Sequence, residues 1–173
     1  MKFKGIIIRK LSQKDLKQVK KFQIFINSLI QEKAQISLNK KLTLRQETDW
    51  LKNSLKQIKQ KKLVFLIAEH NNEIIGTTGI NLNTGRKEHV GGFGIMISKD
   101  CRGIGLGNFL MTEIIKLAKK KLKSKIIRLS VFSINKPAIS LYKKQGFKKV
   151  ATIPKQLQYK GKLINEIVMI LGL

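Results

Sequence analysis

Three glycines, Gly103, Gly105 and Gly107, alternate along the stretch DCRGIGLGNFL, immediately before a long amphipathic segment. Glycine inside a helix costs about 1 kcal/mol relative to alanine, so three of them where a helix should begin need another explanation. The first turn of a helix carries unpaired N–H groups and a partial positive charge, and glycine has no side chain to keep an anion away from them. The spacing therefore predicts a loop that binds phosphate oxygens.

Two familiar phosphate-binding patterns do not fit this loop. A Walker loop needs Lys and then Ser or Thr after its last glycine, whereas Gly107 is followed by Asn108 and Phe109. The dinucleotide pattern G-x-G-x-x-G, started at Gly103, requires its third glycine where Asn108 stands. The pattern R/Q-x-x-G-x-G/A does match, from Arg102 to Gly107.

A second motif, NKPAISLYKKQGF, lies at residues 135–147. Together the two motifs resemble those of the GNAT superfamily of N-acetyltransferases, whose later motif reads N-x-x-A-x-x-L-Y-x-x-x-G-F. The residues in register with it are Asn135, Ala138, Leu141, Tyr142, Gly146 and Phe147. The resemblance implies acetyl-CoA as cosubstrate, no metal, and direct transfer of the acetyl group to a primary amine of a small molecule, an amino acid, a polyamine or a protein.

The resemblance also implies which residues bind the coenzyme. Backbone groups of Ile95, Met96 and Ile97 would hold the pantetheine arm, and an amide of this strand would stabilise the oxyanion. The remaining contacts would come from Arg102, Gly103, Ile104, Gly105, Leu106, Gly107 and Asn108 at the pyrophosphate, and from Asn135 and Tyr142. On the residues alone, 95–97 are also typical of sheet core and Asn135 of a helix N-cap.

Tyr142 resembles the general acid of the superfamily. The departing group is a thiolate whose thiol has a pKa of about 8.5, and a tyrosine with a pKa of about 10 can donate a proton to it. The alternative role for Tyr142 is a packed aromatic residue on a short helix.

The general base is left open by the sequence. A glutamate often lies five residues before the motif's asparagine in N-terminal acetyltransferases of this superfamily, but this chain has Ser130 there. The candidates are Glu32, Glu73, Glu88, His89, Glu166 or a water relay. A lysine-type amine costs roughly 4–5 kcal/mol to deprotonate at pH 7, against about 1 kcal/mol for an α-amine. A lone histidine such as His89 is more often structural, and Cys101 fits a small loop residue better than a nucleophile.

The elements that must position these residues follow from hydrophobic periodicity. Strands are predicted at 3–9, 63–70, 73–82, 89–98, 126–132, 147–153 and 162–171, and helices from Ser12 to Ile30, from Thr43 through Ile58, over 103–122 and from Asn135 to Gln145. The second helix should bury Trp50 with Leu51, and strand 126–132 should be buried on both faces.

One βαβ crossover, through the helix at 103–122, requires parallel pairing, and its neighbours are hairpins. The fold class is therefore α/β (α+β mixed), with a central mixed, mostly antiparallel sheet of about seven strands flanked by four helices, the GNAT fold. A single domain is expected over residues 1–173.

The charge leaves a second function class open. Among 173 residues, 36 are Lys or Arg and 10 are Asp or Glu, for a formal net charge of +26. Such a charge attracts polyanions, so the alternative is a catalytically inactive GNAT-like module that binds nucleic acid. The lysines are spread over nearly every segment, which favours a solvated surface over nucleic acid as the primary partner.

The sequence also bears on the cellular compartment, on disulfide and zinc sites, and on assembly. No apolar run approaches the roughly 18–20 residues of a membrane helix, and the start MKFKGIIIRK is too short for a signal-peptide core, so a cytoplasmic protein without a membrane partner is expected. A single cysteine allows no intrachain disulfide, and with two histidines no structural zinc set can be assembled. The ending IVMILGL, residues 167–173, would suit a homodimer contact as well as a core strand.

Overall fold

The computed structural model describes residues 4–173, which form seven strands and four α-helices. In chain order these are β1 (Ile6–Lys10), α1 (Val19–Gln31), α2 (Leu44–Lys59), β2 (Leu63–His70), β3 (Glu73–Leu82), β4 (Val90–Ile97), α3 (Leu106–Lys121), β5 (Ile126–Phe132), α4 (Lys136–Lys144), β6 (Lys148–Tyr159) and β7 (Lys162–Gly172). The predicted order of elements is confirmed. Phe3, placed in the first predicted strand, lies outside the described residues.

The strands form one sheet in the order β1-β2-β3-β4-β5-β7-β6. Within the described residues, β4 and β5 are the parallel neighbours and every other pair is antiparallel. The parallel ladder is short, because only Val90 to Gly92 pair, with Ile126 to Arg128. Beyond this point β4 stays on β3 and β5 stays on β7, so the two strands separate.

Helices cover both faces of the sheet. Along β2, Val64 and Leu66 pack into the core that contains the buried stripe of α3, whereas Phe65 and Ile67 pack into a second core with α1 and α2. This alternation is what the two-residue period of a strand requires when both faces are covered. The sheet therefore holds two helical layers in fixed positions around its centre.

The first predicted helix is divided in two. Ser12 begins a 3-10 turn at Gln13–Lys17, and α1 starts only at Val19. The cause is Asp15, 1% exposed, whose carboxylate accepts from the Ser12 N–H at 2.8 Å and from the Arg9 guanidinium at 3.0 and 2.7 Å. These bonds fasten the turn to β1 and prevent a continuous helix.

The same guanidinium bridges to the neighbouring strand. Arg9 donates to both carboxylate oxygens of Glu69, at 2.9 and 2.7 Å, and these bonds lower the pKa of Glu69. Removing one partner of such a cluster would leave a poorly solvated charge behind, which is strongly destabilising.

Strand β5 is not buried on both faces, contrary to the sequence expectation. Ile127, Leu129 and Val131 are buried, whereas Arg128 and Ser130 are exposed. The reason is that α1 and α2 pack mainly over β2 and β3, so one face of β5 lacks a helical cover.

The sixth strand is longer than predicted, because a bulge carries it past Pro154. Its pairing with β7 shifts between Ile153 and Leu157, where Lys155 adopts a φ of +53° and its N–H donates to the Asn165 Oδ1 at 2.9 Å. Proline fits a bulge on an edge strand, since no ladder bond is lost there.

Replacing Glu47 with glutamine is expected to stabilise the protein by about 1–3 kcal/mol at pH 8 and by little at pH 5. Glu47 is 5% exposed on α2, and burial raises its pKa from 4.5 to about 7. The folded chain therefore keeps a proton that the unfolded chain releases, and the free energy of unfolding falls as pH rises from about 4.5 to about 7. Urea unfolding at both pH values measures this, and equal stabilities of the two proteins at pH 8 would contradict it.

Candidate functional site

A cleft opens where β4 and β5 separate. The facing edges of Phe93–Ile97 and Leu129–Phe132 have no ladder partner between them, because each strand pairs only on its other side. The cleft has a volume of about 1270 Å³ and extends from the start of α3 to the connection between α1 and α2. It therefore exposes unpaired backbone groups at the centre of an otherwise continuous sheet.

The glycine loop forms one end of this cleft, and its glycines are required for two different reasons. Gly103 and Gly105 have φ of +79° and +92°, and a Cβ on either would meet no atom within 4 Å. A Cβ on Gly107 would lie 3.2 Å from the Ile97 Cδ1 and 3.3 Å from the Leu141 Cδ2. The first two thus permit a left-handed turn beside open space, and the third permits close packing of α3.

Helix α3 begins directly after this turn. Its N-cap is Gly105, which has no side chain to bond the first N–H groups, so these remain available to an external acceptor. An anion at this position would also gain from the helix dipole. The space, the free donors and the field all fit a phosphate group.

The guanidinium of Arg102 is bonded to protein groups and stabilises the glycine loop; it is not a free charge beside it. Its Nε donates to the Ile97 carbonyl at 2.9 Å, and its guanidinium forms an ion pair with Glu32, the C-cap of α1. The arginine thereby joins the end of β4 to the end of α1, two elements that border the cleft.

Gln145 is a residue that the sequence analysis missed. Its Nε2 donates to the Asn108 Oδ1 at 2.9 Å and to the Thr112 Oγ1 at 3.1 Å, which connects the end of α4 to the first turns of α3. Asn135 caps α4 by accepting from the Ala138 N–H at 3.2 Å, so its predicted structural role is present. The Gln145 bonds hold α4 against α3, and the Asn135 bond fixes the first turn of α4.

Tyr142 lies in the wall of the cleft on α4. It is 7% exposed, and its ring meets Phe93 edge-on with centroids 5.9 Å apart. Within residues 4–173 its hydroxyl has no hydrogen-bond partner, and burial raises its pKa to about 12. The phenol therefore stays protonated at neutral pH, with a proton that is held more tightly than the sequence analysis assumed.

The other end of the cleft is built mainly by α2. The α2 wall comprises Trp50, Asn53, Ser54 and Gln57, which share one helical face at spacings of three and four residues. Trp50 is therefore not buried with Leu51 as predicted: it is 39% exposed and its ring meets Phe65 edge-on at 5.4 Å.

A hydrogen bond joins two segments that border this end of the cleft. The Tyr159 hydroxyl donates to the Lys33 carbonyl at 2.8 Å, and the Tyr159 ring meets Phe132 at 5.6 Å. The connection after α1 and the β6–β7 hairpin are thereby joined across the mouth of the cleft.

The structure separates the candidate bases into two groups. Glu32 and Glu166 line the cleft, and Ser130 lies there too. Glu73, Glu88 and His89 are not part of its lining, and the His89 carbonyl accepts from Lys125 and Ile126 at the opposite end of β4. Glu32 is paired with Arg102, whereas Glu166 forms no ion pair within residues 4–173.

Most of the predicted coenzyme-binding residues are brought together. Those that line the cleft are Ile95, Met96, Ile97, Arg102, Gly103, Gly105, Gly107, Asn108, Asn135 and Tyr142. Ile104 is 49% exposed and Leu106 is fully buried, and neither contributes to the lining. The role predicted for the amides of these two remains a prediction.

Three further findings concern a possible nucleophile, a metal site and a membrane span. The pKa of the Cys101 thiol is raised by burial and by Asp100, which disfavours the nucleophilic thiolate. Among residues 4–173 no cluster of side chains suited to a metal ion is found. In the same part of the chain no helix combines the length and the apolar character needed to span a membrane.

Sequence comparison identifies proteins similar to this chain. The model of the Acetyltransferase (GNAT) family matches residues 28–147. The L-amino acid N-acetyltransferase AaaT of Escherichia coli is 31% identical over 105 residues, which are 60% of this chain and 65% of that protein. An N-alpha-acetyltransferase of Sulfurisphaera tokodaii is 28% identical over 110 residues, 57% of this chain. The aligned part spans 65% of the length of each relative.

Solved structures agree with the fold. A GNAT-family acetyltransferase of Streptococcus pneumoniae superposes with a TM-score of 0.86 at 26% identity, covering 97% of this chain and 99% of the other. YncA of Salmonella typhimurium, solved with its cofactor acetyl-CoA, gives a TM-score of 0.82 at 17% identity, covering 97% and 94%. The second likeness is one of fold alone.

Proposed function

Because this chain belongs to the acetyltransferase (GNAT) family, we propose that it transfers the acetyl group of acetyl-CoA directly to a primary amine. The observation that carries the proposal is the left-handed glycine turn, Gly103 and Gly105, open at the start of α3 and continuous with the unpaired edge of β4. A diphosphate fits the turn, and an extended amide chain fits the edge.

The residues present fit acetyl-CoA along the part of the cleft between the glycine loop and β4. The first N–H groups of α3 would hold the pyrophosphate, and backbone groups of Ile95 to Ile97 would bond the pantetheine amides. Gln145 would keep Asn108 and α4 in place around them. When bound, the coenzyme supplies an activated acetyl thioester with a thiolate leaving group.

Tyr142 would assist departure of that thiolate as the general acid. A phenol with a pKa of about 12 loses about 5 kcal/mol in giving its proton fully to a thiolate whose thiol has a pKa near 8.5. Its first contribution is therefore a hydrogen bond that stabilises the developing charge on sulfur, strengthened by the poorly solvated position. Any proton that Tyr142 gives to the sulfur would be replaced by the proton that the amine nitrogen loses on acylation.

Glu166 is the candidate base that the geometry favours. Both Glu32 and Glu166 border the cleft, but the carboxylate of Glu32 is engaged by Arg102. Glu166 is half-buried on β7, paired in register with Phe132 at the end of β5. A carboxylate there could accept a proton from the substrate ammonium, directly or through one water, so that the neutral amine can attack the thioester.

Replacing Glu166 with glutamine is expected to lower kcat/KM at pH 7 by about 100-fold, the contribution typical of a general base. The difference in kcat/KM between the variant and the wild type should narrow as pH approaches the pKa of the amine, because the free amine needs no base. A pH profile of initial rates measures this. Glu73→Gln, a carboxylate outside the cleft, is the matched control, and an equal loss in both variants would exclude Glu166 as the base.

The acceptor we propose is an α-amine, of an amino acid or of the first residue of a peptide. An α-amine costs less free energy to deprotonate at pH 7 than a lysine-type amine. The end of the cleft beside α2, where the acceptor would bind and which we call the acceptor end, has an apolar lining from Leu29, Leu63 and Phe65 that suits a side chain. The activities named for the relatives from Escherichia coli and Sulfurisphaera tokodaii support the same class.

A free-thiol assay with acetyl-CoA and a panel of amines tests the function. The panel contains L-leucine, L-leucinamide, L-lysine with a blocked α-amine, and spermidine. Turnover fastest with the α-amines supports the proposal. No turnover with any amine, together with RNA binding that weakens steeply as salt increases, would instead support the nucleic-acid-binding module.

A further inference from the structure

The Gln57 side chain, in the α2 wall, carries an unsatisfied polar atom. Its Oε1 is buried and, within residues 4–173, has no hydrogen-bond partner; no other buried side-chain oxygen or nitrogen of these residues shares that condition. Native proteins pair almost all buried polar groups, so an exception needs an explanation. The position of this amide at the acceptor end of the cleft suggests one.

The residues of α2 that line the cleft beside this amide are uncharged. Helix α2 carries Lys52, Lys56 and Lys59, but none of them lines the cleft, whereas Asn53 and Ser54 do. The charged groups of the cleft lie on other elements: Glu32, Lys33, Lys99, Arg102 and Glu166. In a chain with a net charge of +26, a wall of amide and hydroxyl groups is suited to a neutral partner.

The chemistry of the amide defines what that partner must offer. An amide oxygen accepts hydrogen bonds and does not ionise, so it favours a neutral N–H or O–H donor over a carboxylate. Within residues 4–173 the amide nitrogen of Gln57 has no hydrogen-bond partner either, yet it is not one of the buried unpartnered atoms, so it is the more accessible end of the amide. A half-turn of the terminal amide exchanges the two atoms. This rotation alone brings the oxygen to the cleft surface without any change in the backbone, and it places the NH2 group in the buried position.

We propose that Gln57 is a specificity-determining residue, whose amide oxygen accepts a hydrogen bond from an uncharged N–H of the acceptor. This inference rests on the proposed function. An α-amino amide, or the first peptide group of a polypeptide, supplies such an N–H next to the reacting amine, whereas a free amino acid has a carboxylate there. The substrate class is then amino amides and peptide N-termini in preference to free amino acids.

Two probes that differ at this one donor test the proposal: L-leucinamide, which has the amide N–H, and L-leucine methyl ester, which lacks it. The wild type should use the amide about three- to tenfold better in kcat/KM, as one neutral hydrogen bond allows. Gln57→Leu should reduce that preference to near unity by raising the KM for the amide. Gln60→Leu, an exposed glutamine at the end of the same helix, should keep the preference.

A stability measurement separates recognition from structure. Because Oε1 bonds no other group of the protein, Gln57→Leu should leave Tm unchanged or raise it, and should leave the KM for acetyl-CoA unchanged. An unchanged amide preference in Gln57→Leu, or a clear drop in its Tm, overturns the inference while the proposed function stands. A wild type that acetylates neither probe overturns the inference and the proposed α-amine acceptor, and the other amines of the panel then decide whether the acetyltransferase function stands.

Discussion

Replacing Gly105 with alanine is expected to lower the affinity for acetyl-CoA by about 100-fold, the equivalent of one or two charge-assisted hydrogen bonds. Gly105 has a φ of +92° and its missing Cβ points into open space at the start of α3. A methyl group there would occupy the position proposed for a phosphate oxygen and move it away from the free N–H groups. Isothermal titration calorimetry with acetyl-CoA measures the change.

A second glycine provides the control for backbone strain. Gly161, in the β6–β7 turn, has a φ of +77°, does not line the cleft, and would likewise place an added methyl group more than 4 Å from any neighbouring atom. Alanine at either position should cost about 1–2 kcal/mol of stability, because both adopt the left-handed conformation. Only Gly105→Ala should lose coenzyme affinity, and an equal loss in Gly161→Ala would attribute the effect to strain instead.

Replacing Tyr142 with phenylalanine is expected to lower kcat by about 100-fold or more, within the range for a positioned proton donor. The change removes one oxygen that forms no hydrogen bond within residues 4–173 and leaves the ring packed against Phe93, so the Tm should not change. Coenzyme affinity should also hold, because the hydroxyl acts on the charge that develops on sulfur. Steady-state rates at saturating acetyl-CoA measure the effect.

The pH dependence of the wild type gives an independent test of Tyr142. Burial raises its pKa to about 12, so the hydroxyl keeps its proton well above pH 9, and kcat should show no alkaline decline up to about pH 10. A decline centred near pH 9 that disappears in Tyr142→Phe would show that the phenol ionises more easily than its burial implies. A Tyr142→Phe enzyme with unchanged kcat would remove the residue from the mechanism.

The sequence alone was sufficient to predict those structural features whose determining contacts are local. The glycine turn was predictable because Gly103 and Gly105 act through their own backbone angles and the adjoining helix start. The two-faced sheet was predictable because strand and helix periods are read within one element. The end of α4 was equally predictable, since Gly146 adopts a φ of +90° just past the helix.

The site was less predictable where contacts join distant segments. The Glu32–Arg102 pair spans 70 positions and the Tyr159–Lys33 bond spans 126, and no local pattern reports either. Helical periodicity likewise identified the apolar residues of α2 but could not separate Trp50, which faces the cleft, from Leu51, which faces the core. Buried Glu47 and half-buried Gln57 carry no signal in the sequence, because polar residues on a helix are expected to face water.

The gap between β4 and β5 would couple the stability of the folded protein to whatever ligand occupies it. An extended coenzyme arm lying between these two edges would take the place of a missing strand and complete the sheet. A ligand that binds only the folded chain adds about 2.7 kcal/mol of stability when its free concentration is 100 times Kd. Acetyl-CoA bound in this gap should therefore raise the Tm of the protein and slow its digestion by a protease, to an extent set by the ratio of free coenzyme to Kd.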